Sequence, residues 1–368
     1  MPYNWEFTHW PEFTFEQDVL SKHQLEFLLK TGELTGVLKG IASSDHTELL
    51  LETMAMEAMK TSQLEGELLS RHDVMSSVKK NLGIHEDQTL FIKDHRAKGI
   101  AKLMVNVRTT FSEKLTIDTL FDWHQMLMEG NRYINAGAWR SDSSPLQVVS
   151  GAIGQETVHF EAPSSSRVPE EMDAFIRWFN ETAPAGTKAM LNPILRAGIV
   201  HLYFESIHPF EDGNGRIGRA LAEKAIHQGL GYTTLISISG VLEKQKNAYY
   251  SSLSTAQKSL DITDWLRYFG EIVLIAQQDA LMRIDFTIKK TRFFDRWEAQ
   301  LNERQLKVIA RILAEGPSGF EGGMTAKKYI ASTKTSKATA TRDLQALVEL
   351  GIFLPQGGGR SVSYELKL

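Results

Sequence analysis

Apolar residues recur at spacings of three and four through 19–29, 49–69, 101–107 and 120–128, which predicts amphipathic helices over those stretches. The second has a start signal, Asp45 as N-cap with Glu48 three residues on. Asn192-Pro193 gives another, with Asn in the capping position and Pro in the first turn. The residues that follow, ILRAGIVHLYFESI, are apolar on nearly every face, so that helix should be buried. The main strand signal of the body lies at 146–161, where LQVV and TVHFE flank SGAIGQE and predict a short hairpin or flap. Near the end of the chain, FTIKKTRFFDRW at 286–297 reads as a basic connector. Beyond it the order is helix, short helix, turn, helix and a Gly-turned hairpin, the order of a winged helix-turn-helix. The class expected is mainly α, in three parts: an N-terminal helical domain at 1–90, a core at 91–285 and the winged helix at 286–368.

A length of 368 residues agrees with two or three domains, and 42% hydrophobic with 23% charged residues is a globular composition. Apolar runs fall far short of the ~20 residues of a membrane span. The aromatic, acidic N-terminus lacks the basic and apolar regions of a secretory signal. Cysteine is absent, which excludes disulfides, a thiolate nucleophile and Cys-based metal sites, and a cytoplasmic location is expected. Charge is uneven. Residues 286–368 hold 14 Lys and Arg against 8 Asp and Glu, so a net −4 hides an acidic body and a basic tail suited to an anionic partner such as DNA.

Chemistry concentrates in HPFEDGNGRIGR, 208–219, where the buried helix should end and another begin. A loop leading into a helix N-terminus presents unpaired N–H groups and the positive end of the helix dipole, a site for anions. Gly213 and Gly215 let the loop curl its amides around a phosphate, and Asn214 between them offers a further donor. Arg216 and Arg219, three apart, share a face and are suited to the oxygens of a polyphosphate. Asp212 is a hard oxygen ligand for Mg²⁺. His208 alone in the loop titrates near neutrality, which makes it the natural general base. The plain alternative is a turn between two helices with arginines at its exit. Five chemically consistent residues converging on one helix start argue against it.

The segment matches residue for residue the motif HxFx[DE]GNGRxxR, and so resembles the Fic family over about 115–269. GAWRSDSSPLQVVSG resembles that family's approach to its flap, and AYYSSL, 248–253, its nucleotide-side YYxxL segment. YNWEFTHWPEFTF resembles a small helical domain found ahead of Fic cores. The resemblance implies a Fic-type helical core with a hairpin flap, and a protein adenylyltransferase that moves AMP from ATP to a Ser, Thr or Tyr hydroxyl of a target protein. By position, His208 is the base, Asp212 holds Mg²⁺, Gly213, Asn214 and Gly215 cradle phosphates, and Arg216 and Arg219 bind the β- and γ-phosphates. Phe210 packs under the loop. Tyr249 and Tyr250 either line the nucleoside side or belong to the core. The flap, Val148, Val149, Ser150 and Gly151, is implied to pair with the target backbone.

Upstream, TSQLEG at 61–66 fits the family's inhibitory pattern [ST]xxxEG, which implies that Glu65 reaches Arg219 and withdraws it from the γ-phosphate. Two other readings stay open for Glu65: an ordinary surface acid, or one that orients a water for removal of AMP. ATP, a target protein, the chain itself as target, DNA and a second copy are the candidate partners, with no membrane. The rival in another class is a winged-helix DNA-binding regulator with a nucleotide-sensing core, in which Lys337, Thr339 and Arg342 would face a groove. A metal hydrolase built on His201, His208 and Asp212 lacks a compact two-His motif, and His201 reads better as a core histidine.

Overall fold

The structure is a computed structural model and describes residues 2–84, 92–142, 146–150, 157–358 and 362–368. The chain divides into two compact units, one of residues 1–35 and 50–278, the other of 36–49 and 279–368. Helices α1 (Ser21–Leu38), α2 (Ser43–Leu64) and α11 (Thr263–Trp297) contribute residues to both. The first unit further holds α3 (Arg71–Asn81), α4 (His95–Thr109), α5 (Ile117–Leu127), α6 (Val168–Glu181), α7 (Pro193–Ile207), α8 (Asn214–Leu230), α9 (Ile238–Lys244) and α10 (Lys246–Ala256). Its hairpin pairs β1 (Gln147–Ser150) with β2 (Thr157–Glu161), antiparallel, in the register Gln147↔Glu161 to Ser150↔Thr157.

Centre place belongs to α7, of which every residue except Leu195 is buried. Its start is as predicted: the Asn192 side chain accepts from Ile194 N and Leu195 N, both at 3.1 Å. Around it the N-terminal segment is stitched to the same unit. Asn4 Nδ2 donates to Ser206 Oγ (2.8 Å), Trp10 Nε1 to Glu171 Oε2 (2.8 Å), and Trp5 Nε1 to the Glu161 carbonyl at the end of β2 (2.8 Å).

Two sequence readings are corrected. Helix α2 starts at Ser43, and His46 N already donates to the Ala42 carbonyl (3.1 Å), so Asp45 lies inside the first turn. Its carboxylate accepts from Thr291 Oγ1 at 2.9 Å instead of capping. The stretch 286–297, read as a basic connector, forms the last turns of α11. Phe286, Phe293, Phe294 and Trp297 recur there at helical spacing and pack on the apolar core of the second unit.

That second core is built by α12 (Glu303–Leu313), α13 (Ala326–Thr333) and α14 (Lys337–Glu349), with Val308, Ile309, Tyr329, Leu344 and Leu347 at its centre. A hairpin of β3 (Phe353–Gln356) and β4 (Ser363–Leu366) follows, extended by a bridge between Met324 and Tyr364. Asp343 on α14 ties the helices together. It accepts from Tyr329 Oη (2.9 Å), Arg304 Nε (2.8 Å) and Asn302 Nδ2 (3.2 Å). Lys337 and Arg342 are exposed on the same helix, whereas the Thr339 N–H is engaged by the N-cap Ser336 (3.2 Å). Among the described residues no helix is long and apolar enough to cross a membrane.

Candidate active site

Helix α7 ends at His208, which sits in the left-handed region at φ 50°, ψ 61°. A non-glycine residue there is disfavoured by about 1–2 kcal/mol, so neighbouring structure must hold it. Arg140 does so. Its Nε donates to the His208 carbonyl (2.8 Å), its Nη2 to the Pro163 carbonyl (2.5 Å), and its own N–H to the Pro209 carbonyl (3.0 Å). The sequence reading passed over Arg140, although it stands inside the GAWRSD stretch. Next, Phe210 is fully buried and stacks on His124 with ring centres 4.1 Å apart. The Asn214 side chain bonds both ends of that residue, accepting from Phe210 N (2.9 Å) and donating to its carbonyl (2.8 Å). Asn214 therefore clamps the loop, with one of its two amide hydrogens committed to the Phe210 carbonyl.

Gly213 takes φ 86° as the residue before α8, and no side chain caps that helix. Gly213, Asn214 and Gly215 instead line a cavity of about 890 Å³, together with Glu65, His208, Asp212 and Arg219. That is within the usual size of small-molecule sites. The Asp212 carboxylate is half exposed; Oδ1 accepts from Gly213 N (2.6 Å) and Arg216 Nη2 (3.1 Å). Burial pushes the His208 imidazole down to about 4, against the nearby Glu205 carbonyl, so the ring is neutral at neutral pH. Its Nδ1 faces that carbonyl at 3.4 Å and the Glu205 carboxylate at 3.6 Å. A proton on Nδ1 leaves Nε2 as the acceptor. Glu205 is itself buried, and its carboxyl is pushed up to about 8 by burial, with Arg219 opposing.

The end of α2 meets the two arginines. Arg219 is buried, and its Nη2 donates to Glu65 Oε1 (2.6 Å) and the Thr61 carbonyl (3.0 Å), while its Nε donates to Thr61 Oγ1 (2.7 Å). Both named residues of the TSQLEG pattern thus contact this one guanidinium. Burial lowers the Arg219 pKa, and the Glu65 carboxylate together with Tyr249 and Tyr250 more than reverses this. Gly215 is required by the same contact: a Cβ there would lie 2.3 Å from Glu65 Oε1. Arg216 points elsewhere, donating through Nη1 to Glu67 Oε2 (2.8 Å) on the wall of a neighbouring recess of about 530 Å³.

Further contacts missed in the sequence secure the tip of α2. Lys246 Nζ (2.6 Å) and Tyr250 Oη (3.1 Å) both donate to the Leu64 carbonyl, a cation and a hydroxyl at a helix C-terminus. Lys60 Nζ (3.0 Å) and Gln63 Nε2 (2.7 Å) bind Glu243. Both tyrosines line the cavity, Tyr250 about a third exposed and Tyr249 buried with its Oη 2.8 Å from His201 Nε2. His201 is a core histidine, driven down to about 3 by burial. In the flap, Val148 reaches the cavity wall, Val149 and Ser150 lie in β1, and Gly151 falls outside the described residues.

Comparison with known proteins agrees with this geometry. Residues 3–84 match a domain of unknown function, DUF4172, and residues 114–226 match the Fic/DOC family. The chain is 26% identical over 180 residues to the Protein adenylyltransferase Fic of Nematostella vectensis, covering 48% of this chain and 37% of that protein. It is also 26% identical over 159 residues to the Protein adenylyltransferase fic-1 of Caenorhabditis elegans, covering 43% and 27%. The chain thus spans well under half the length of these curated relatives. In fold it resembles a Fic family protein from Desulfovibrio desulfuricans G20 (TM-score 0.55, 17% identity, 98% of both chains). It also resembles a Fic domain containing signaling protein from Bacteroides thetaiotaomicron (TM-score 0.53, 20% identity, 72% of this chain and 97% of that one). With the loop, the helices and the matched family in agreement, residues 114–226 of this chain are a Fic/DOC domain.

Proposed function

We propose that the protein is a protein adenylyltransferase that transfers AMP from ATP to a Ser, Thr or Tyr hydroxyl of a target protein. The observation that carries this reading is the cavity in which a neutral, rigidly held histidine faces an uncapped helix N-terminus with a buried arginine beside it. In the step, the target oxygen attacks the α-phosphorus, the bond from that phosphorus to the oxygen bridging to the β-phosphate breaks, and pyrophosphate leaves. His208 Nε2 takes the hydroxyl proton. The first-turn amides of α8 and Arg219, joined by Arg216 once it turns from the neighbouring recess, would hold the phosphates and offset the charge that develops on them. Asp212, a carboxylate on the cavity wall, is suited to Mg²⁺, which usually takes one or two protein carboxylates and completes its shell with phosphate oxygens and water. When bound, the ion would neutralise phosphate charge. The flap strand β1 would lay the target backbone alongside by strand addition.

In the arrangement described, Glu65 occupies Arg219, so the reading includes autoinhibition: ATP enters with its γ-phosphate unpaired and its α-phosphorus out of line. The test is labelling with the full chain and a lysate. ATP labelled in the α-phosphate should mark protein, and ATP labelled in the γ-phosphate should not. Transfer of the γ label would replace adenylyl transfer by phosphorylation.

The order of helices and hairpin at 303–366 supports a second element of the proposal, a C-terminal winged helix-turn-helix that binds DNA through α14. Lys337 and Arg342 would serve as its phosphate or base contacts. Duplex binding by the full chain that weakens steeply with salt supports it, and binding unchanged by Lys337→Ala with Arg342→Ala removes it.

A further inference from the structure

Glu65 answers to a pattern in the sequence, and Glu67 to none. Glu67 Oε2 nevertheless accepts from Arg216 Nη1 at 2.8 Å, with the arginine side chain 5% exposed and the glutamate 25%. The other partner of Arg216, Asp212, is more distant at 3.1 Å, and Arg216 Nε has no partner among the described residues. The guanidinium therefore retains donor capacity toward an anion while one internal carboxylate already occupies it.

The local backbone explains how two acids separated by a single residue reach two different arginines. Past Leu64 the chain forms a Schellman turn: Glu67 N donates to the Ser62 carbonyl (2.9 Å) and Gly66 N to the Gln63 carbonyl (3.0 Å). Gly66 adopts φ 84°, the left-handed conformation this turn needs. The chain reverses there, so that Glu65, before the glycine, meets Arg219, and Glu67, after it, meets Arg216. Around Glu67 the recess offers further cations, Lys93, Arg96 and Arg132, so a displaced carboxylate keeps favourable neighbours. Arg96 already feels the charge of Glu67, although its main partner is Asp94.

We propose that Glu67 is a second internal competitor for the nucleotide, holding Arg216 in the recess beside the cavity and so away from the β-phosphate, as Glu65 withholds Arg219 from the γ-phosphate. The proposal rests on the reading of the cavity as an ATP site. It divides the polyphosphate into two separately guarded positions. AMP engages neither arginine, ADP reports Arg216 alone, and ATP reports both.

Affinities of AMP, ADP and ATP, measured by calorimetry with Mg²⁺ on the full chain, provide the test. Glu67→Gln should tighten ADP by about tenfold, the scale of one charge-assisted hydrogen bond, and leave AMP unchanged. Glu67→Ala should do the same, which separates loss of the charge from any new contact made by the amide. Glu65→Gly should tighten ATP but not ADP, and the double variant should combine both gains. ADP affinity equal in wild type and both Glu67 variants overturns this inference and leaves the ATP site standing. Failure of every variant to bind any of the three nucleotides overturns the site itself. Tighter AMP together with tighter ADP would show that Glu67 acts on the cavity as a whole and not on the β-phosphate position, which also overturns the inference.

Discussion

The loop from His208 to Arg219 and the tip of α2 face each other at the cavity and are built on opposite plans. The loop is held by groups that no ligand would displace: Asn214 bonded to both ends of Phe210, Phe210 stacked on His124, and Arg140 on the His208 carbonyl. The tip of α2 reaches the site through carboxylates on Arg216 and Arg219, the kind of contact a phosphate can replace oxygen for oxygen. One side is made to keep its geometry, the other to yield. The difference teaches that the inhibition proposed above would need no distortion of the loop, since the arginines are merely occupied.

Substitutions test each side. On the fixed side, His208→Ala should reduce transfer by ~10²–10⁴-fold, the usual worth of a general base, with ATP affinity largely retained. Near wild-type labelling would remove His208 from the chemistry. Asn214→Ala leaves the Phe210 N–H and carbonyl unpaired in the interior. At about 1–3 kcal/mol for each, it should lower thermal stability clearly and lower transfer with it; an unchanged melting curve would show that the clamp carries nothing.

On the yielding side the sign reverses. Glu65→Gly should raise self-modification and target modification by up to ~100-fold, the scale of a 1 Å misplacement at the reacting centre, and adding Arg219→Ala should abolish the gain. Equal rates for wild type and Glu65→Gly, followed by intact mass, would end the inhibitory reading; a slower variant would point to a direct role in catalysis. Smaller again is Gly66→Ala. Nothing lies within 4 Å of a Cβ at that position, so the change acts through the backbone alone. A strain of about 1–2 kcal/mol in the left-handed region should give activation of roughly tenfold or less. The smallest effect expected is that of pH. The active base is the neutral ring, so its contribution is lost only as pH falls through about 4, and transfer should change little between pH 5.5 and 7.5. A rate limb centred near 6.5 would mean that burial does not govern His208.

What was legible in the sequence was what short spacing encodes. The Asn192-Pro193 start, the turn glycines of the loop, the hairpin at 146–161 and the pairing of Thr61 and Glu65 on one helix face all depend on neighbours within a few residues. Arg140 was not legible because its partners are backbone carbonyls of residues 163, 207 and 208, which carry no residue-type signal. Lys246 and Tyr250 bind the Leu64 carbonyl from more than 180 positions away for the same reason. The clamp by Asn214 was not legible because its partners are the N–H and carbonyl of Phe210, backbone groups that carry no residue-type signal. At 286–297 the charged residues suggested a connector, yet the aromatic spacing that packs a helix was present in the same letters.

The Schellman turn at Gly66 makes the two glutamates a bidentate ligand that the protein carries on its own chain. A tethered ligand has a local concentration set by its attachment and not by its abundance, and on the proposed reading it would oppose nucleotide at that fixed level. Because both carboxylates hang from one turn, they share one tether. On the proposed reading ATP would have to displace each arm in turn, whereas a partner that lifts the end of α2, by drawing Lys246 or Tyr250 from the Leu64 carbonyl, would dilute both arms in one movement.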